Sequence, residues 1–318
     1  MDRSRQLEGV VVQILAGVFS GAGGGVAGYF GGGVDSGGNI SGIDKILFPA
    51  DTKSTIAATL TTARSTLEGF ANSGVAGYFG GGNDSGGEIS GIDKITFPAD
   101  SKSTLSATLT TARYNMGSFA NSGVAGYFAA GIDSDYLNGV DKITFPADTK
   151  STLGATISSV RRSLTGMANS GVAGYAAGGD NTTGFLNGID KVAFPADTIT
   201  TLAATLTTAV NELGGMANSG VAGYLGGGAS PTRISAIDKI TFPADSKSTL
   251  SATLSTINSG MSAMADTGVA GYFGGGSSGT RVSTIDKITF PADTKSSLAA
   301  TLSTARNNLA AMADCGVF

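Results

Sequence analysis

Any chemistry in this chain would begin with its paired ionisable residues. Six Asp-Lys pairs recur along 318 residues: Asp44-Lys45, Asp93-Lys94, Asp141-Lys142, Asp190-Lys191, Asp238-Lys239 and Asp286-Lys287. A carboxylate beside an amine could act as base and acid in proton transfer. Neighbours on a strand, however, point to opposite sides of a sheet, so the two side chains of a pair do not face each other. Six equal copies also suit a scaffold better than a catalytic centre, which is asymmetric. The pairs are therefore expected to form a ring of ion pairs between repeated units. A second series, Asp51, Asp100, Asp148, Asp197, Asp245 and Asp293, each followed by Thr or Ser, reads as turn caps. Histidine is absent, which removes the commonest acid–base group and metal ligand. The four glutamates, Glu8, Glu68, Glu88 and Glu212, do not recur in register with a second acid as a glycosidase pair would. Asp133 and Asp135 could offer oxygen ligands, but their spacing matches no calcium-binding loop. The expectation is a protein that is not an enzyme, with no catalytic residue, metal or cofactor.

The elements that carry these residues are repeats. The phrase Gly-Val-Ala-Gly-Tyr-Phe-Gly-Gly-Gly places its tyrosine at Tyr29, Tyr78, Tyr127, Tyr175, Tyr224 and Tyr272, at intervals of 48 or 49 residues. The phrase Ile-Asp-Lys-Ile-Thr-Phe-Pro-Ala-Asp keeps the same beat, with Pro49, Pro98, Pro146, Pro195, Pro243 and Pro291. A fixed period of this length marks units that bury their apolar faces only against one another. Within the second unit, strands are expected over 65–71, 75–79, 89–97 and 104–111. Asn72-Ser73-Gly74 would supply the first turn and Pro98 to Lys102 the last. The threonines at 104, 108, 110 and 111 favour strand over a local helix in the last of these.

Six tyrosines imply six four-stranded antiparallel blades, an all-β propeller spanning residues 25–318. The segment from Arg306 replays a first strand and turn, with Asp314-Cys315-Gly316-Val317 matching Asn72-Ser73-Gly74-Val75. It is expected to complete the blade that begins near Val26, closing the ring and removing exposed sheet edges. Residues 1–24 then form an apolar N-terminal arm. Its run of Val10, Val11, Val12, Ile14, Leu15, Val18 and Phe19 would dock on another component of an assembly, or pair on blade one as an extra strand or in place of the C-terminal tail, which would then complete the first blade of the next chain in a filament. Asp2 and Glu8 fit a signal peptide poorly, and the apolar stretch from Val10 to the start of the repeat at Gly25 has about fifteen residues, short of the ~20 a spanning helix needs. With 14% charged residues and a net charge of −4, nothing marks a nucleic-acid footprint. A lone Cys315 allows no intrachain disulfide.

The order of tyrosine, paired glycines, an Asp-bearing strand and an arginine about thirty-five residues after the tyrosine resembles the kelch repeat. That repeat is about 50 residues long and forms β-propeller blades. Aliphatic residues (Ile56, Leu105, Leu153, Leu202, Leu250, Leu298) stand where a kelch unit has its tryptophan. The arginine is present as Arg64, Arg113, Arg161 and Arg306 and replaced by Val210 and Asn258. The glycine-rich, near-identical copies also resemble repeat proteins of tailed phages, especially marine ones. This resemblance implies a structural or adhesive component of a virion or tail, partnered by other virion proteins and by a host-surface glycan, without membrane insertion. The alternative is a freestanding glycan- or protein-binding kelch-like module in the cytoplasm. The segment after each glycine pair varies most between copies, and such loops carry recognition. Asp35, Asp84, Asp133, Asp135, Tyr136, Asp180, Arg233 and Arg281 are the candidate binding residues on one loop face.

Overall fold

A computed structural model describes residues 26–315, and among them every regular element is a β-strand. The expected arm residues Val10, Val11, Val12, Ile14, Leu15, Val18 and Phe19 lie outside the described residues. Six four-stranded antiparallel sheets follow one another as the blades of a propeller. Blade 2 is representative, with strands Glu68–Asn72, Ala76–Gly80, Ile92–Thr96 and Ser101–Thr104 running from the axis outward. Blade 1 takes its inner strand from the far end of the chain. Ala310–Ala313 pairs antiparallel with Ala27–Gly31, with Tyr29 opposite Met312. The expected ring closure is therefore observed.

All four strands are displaced from the expected ranges, the first two to Glu68–Asn72 and Ala76–Gly80, and the other two for clear reasons. The outer strand is Ser101–Thr104, so the strand expected over 104–111 holds only at Thr104, and Ser101 and Lys102, expected in the turn, are strand. After Thr104 the chain must cross to the next blade, and it does so by inserting Leu109, which is buried. The amides of Leu105 and Leu109 donate to the carbonyls of Ile92 and Ser90. The β-propensity of the threonines is overridden by that crossing. The third strand begins at Ile92 and not at 89, because the preceding residues fold into a small hairpin, Asn83–Asp84 against Gly87–Glu88.

Small residues set the width of the axis. The inner strands begin Glu68-Gly69, Gly117-Ser118, Thr165-Gly166, Gly214-Gly215, Ser262-Ala263 and Ala310-Ala311. A Cβ on Gly166 would lie 1.9 Å from the Ser118 carbonyl oxygen of the neighbouring blade. The third residue of each inner strand is larger (Phe70, Phe119, Met167, Met216, Met264, Met312) and fully buried between blades. Glycines of the adjoining blade receive these side chains: Gly126 lies against Phe70 and Gly223 against Met167.

Candidate functional site

The two repeated phrases keep one beat because they meet at every joint between blades. Tyr29 stacks on Phe97 of the next blade at 5.1 Å between ring centroids, and Tyr272 stacks on Phe48 across the closure at 4.8 Å. Each tyrosine hydroxyl donates to the turn aspartate after that phenylalanine: Tyr29 to Asp100 at 2.7 Å, Tyr78 to Asp148 at 2.7 Å and Tyr272 to Asp51 at 2.8 Å. The other oxygen of the same carboxylate accepts from a lysine, Lys45 to Asp100 at 2.7 Å and Lys287 to Asp51 at 2.6 Å. The lysine ammonium also lies over the tyrosine ring, 5.3 Å from its centroid for Lys45. Burial and the adjacent carboxylate both push the tyrosine pKa upward, so these phenols remain donors. The ring of inter-blade ion pairs expected from the sequence is present, but its acid is the last aspartate of the same phrase in the next blade and not the aspartate beside the lysine. The aspartates read as turn caps do sit in turns, at φ 53–55°. Their carboxylates join blades, which goes beyond capping.

The aspartates of the Asp-Lys pairs face the other way and are buried. Asp93 accepts from the backbone amide and hydroxyl of Thr61, the hydroxyl of Thr104 and Arg64 Nη2 at 3.0 Å. Burial alone would raise the pKa of Asp93, but the Thr61 donors, then Arg64 and Thr104, more than offset it and hold the carboxyl below its ordinary value. Asp44 and Asp141 repeat the pattern with Arg306 and Arg113. Where Val210 and Asn258 replace the arginine, Asp238 and Asp286 keep the hydroxyl and amide donors of Thr207 and Ser255.

Thr66, Asn115, Ser163, Glu212, Gly260 and Asn308 encircle one mouth of the axis. The amide of each donates to the carbonyl of its counterpart in the preceding blade. The bonds run from Thr66 to Asn308 at 2.7 Å, Asn115 to Thr66 at 3.0 Å and onward until Asn308 donates to Gly260 at 2.7 Å. All six residues have positive φ, between 53° and 64°. This closed cycle of backbone bonds was invisible in the sequence, since only one of the six is glycine. Just beneath it Glu68 lines the axial cavities and accepts from Ser118 Oγ at 3.2 Å. Burial outweighs that hydrogen bond and the Gly69 amide and pushes the Glu68 pKa up to about 8. The sequence signal for Glu68 was available: one acid in a column otherwise filled by Gly117, Thr165, Gly214, Ser262 and Ala310.

The candidate loop residues occupy the face on which this mouth opens. Two groups are brought together. At the junction of blades 6 and 1, Asp35 and Arg281 line a cleft with Ser277, Thr304 and Asn307, and Arg281 Nε donates to Asn307 Oδ1 at 3.1 Å. Between blades 3 and 4, Tyr136 donates to Asp180 at 3.4 Å, and Asp180 also accepts from Arg162 at 3.2 Å and Asn211 at 2.9 Å. Burial would lower the Arg162 pKa, but Asp180, with the two tyrosines Tyr136 and Tyr114, raises it overall. Asp84 and Arg233 stand apart from both groups, Arg233 donating to Ser259 Oγ at 3.2 Å. The carboxylates of Asp35, Asp84 and Asp133 each accept from an amide two residues ahead, at 2.8, 2.6 and 2.8 Å, so they shape their own turns. Asp135 supplies the amide for the last of these.

No protein-family model matches the chain, and no curated protein is significantly similar to it.

Proposed function

We propose that the protein is a non-enzymatic structural or adhesive component of a larger assembly, of the kind a phage virion or tail carries, and that it displays its varied hairpins outward. The observation that carries this reading is the division of the disc into two unlike faces. One face holds the hairpins, which differ in all six blades, from Val34-Asp35-Ser36 to Ser278-Gly279-Thr280-Arg281. The other holds the turns Gly-Val and Phe-Pro-Ala-Asp, which are the same in every blade. The copies share one fold, so unequal variation between the faces points to unequal demands on them. Recognition concentrates on loops held by a rigid scaffold, and here the joints between blades supply the rigidity. The repeated ionisable groups are committed to those joints, which leaves them as architecture.

Antibody fragments raised against each face provide the test. Fragments against the hairpins should decorate intact particles from the source under the electron microscope. Finding the protein only in the free soluble fraction, with no particle labelled, would reject the reading. A second reading, a freestanding glycan- or protein-binding module of kelch-like type, draws on the cleft that joins Asp35 to Arg281. A glycan array separates the two, since specific binding that Arg281→Ala abolishes would favour the module.

A further inference from the structure

The face opposite the hairpins carries two rings of exposed apolar residues. Val75, Val124, Val172, Val221 and Val269 follow the innermost turns, Val26 holds the same register in blade 1, and the six are 38–49% exposed. Those turns touch one another around the axis, where Asn72 accepts from Gly123 at 2.8 Å and Ser122 Oγ accepts from the Ser73 amide at 3.1 Å. The six valines therefore form an annulus. A second annulus surrounds it, because the turn between the two outer strands of every blade presents an exposed Pro-Ala pair, Pro98-Ala99 in blade 2. The two are contiguous within a blade, as the carbonyl of Val75 accepts from the amide of Phe97 at 2.9 Å. Isolated exposed valines are ordinary, but a patch built from three apolar residues in each of six blades is not.

We infer that this face is the contact between two copies of the chain, stacked back to back with the varied hairpins on both outer surfaces. The occupant follows from symmetry and size. The annuli repeat around a pseudo-six-fold axis. A two-fold axis perpendicular to it brings valine against valine in any of six registers, so the surface is complementary to itself. Eighteen residues from each copy approach the roughly 20–30 per side of a standard interface. Most of the charge beneath the face is already joined, as in Lys94 to Asp148 at 2.6 Å, while the two acids of its innermost turns, Asp266 and Asp314, accept from Cys315 Sγ and the Gly74 amide. The chain also continues from Val26 and Cys315 on this face, and cover by those continuations is the competing occupant. The inference does not depend on what the hairpins bind, so its failure leaves the proposed display function standing.

Sedimentation of the full chain decides between them. At tens of micromolar the mass should be twice 31.4 kDa. Val124→Asp with Val221→Asp should raise the dimer dissociation constant by at least about 100-fold, since each buries a carboxylate in the contact. Ala147→Arg with Ala244→Arg, on exposed turns of the outer annulus, should act alike while leaving the melting temperature unchanged. A full chain that sediments as a monomer would overturn the inference, as would variants that stay dimeric.

Discussion

Residue by residue, the buried ion pairs are the most asymmetric interactions in the molecule. Asp93 has four hydrogen-bond donors, whereas Arg64 depends on Asp93 for its charge and on the carbonyls of Phe79 and Gly91. Blade 5 already shows Val210 in the arginine position. Arg64→Val should therefore cost about 1–2 kcal/mol, while Asp93→Ala, which leaves a guanidinium buried without its counter-charge, should cost about 3–5 kcal/mol. Denaturant midpoints compare the two. Asp44, Asp93, Asp141 and Asp286 all titrate below the usual carboxylate range. The burial of each is more than offset by hydroxyl and amide donors and by a nearby Arg or Lys. Their contribution to stability is present at neutral pH and is lost as pH falls below about 4. Glu68 has the opposite sign. With its pKa near 8 in the folded chain, the folded state holds a proton that the unfolded state releases above about 4.3, so stability falls as pH rises toward 8. Glu68→Gln should melt with the parent at pH 4 and a few degrees above it at pH 9. Equal melting temperatures at both pH values would contradict this placement of Glu68.

At the scale of the strand, closeness at the axis is the governing demand. Gly166→Ala drives a methyl into the Ser118 backbone and should cost about 3 kcal/mol or more. Gly42, where an added methyl would meet nothing within 4 Å, should accept alanine within about 0.5 kcal/mol. Thermal unfolding of the two variants tests the contrast. Strand number and order were legible from the beat of Tyr78 and Pro98, because each unit must offer its sheet to the next. The end of the outer strand was not legible. Thr108, Thr110 and Thr111 favour strand locally, and only the position of the next blade makes the chain leave the sheet at Thr104. The cycle of backbone bonds was hidden for a related reason: Thr66, Asn115, Ser163 and Glu212 adopt positive φ without the glycine that usually announces it.

For the molecule as a whole, the ring and its two faces are the central result. Closure was readable because the segment from Arg306 to Cys315 repeats the start of a unit. That Lys45 would find Asp100, 55 residues away, was not readable, since no local pattern links one copy of the phrase to the end of the next before the blades are placed side by side. The candidate loop residues stand out in the sequence by their variation between copies. The structure gathers Asp35 with Arg281 and Tyr136 with Asp180 and leaves Asp84 and Arg233 apart, a grouping set by which blades are neighbours. The claim that one face packs while the other displays is tested most directly by hydroxyl-radical footprinting of the full chain within its native assembly. Val75, Val124 and Pro98 should be protected relative to the dissociated chain, while Tyr136 and Phe185 on the hairpins react equally in both. Protected hairpins above freely reacting valines would contradict the account.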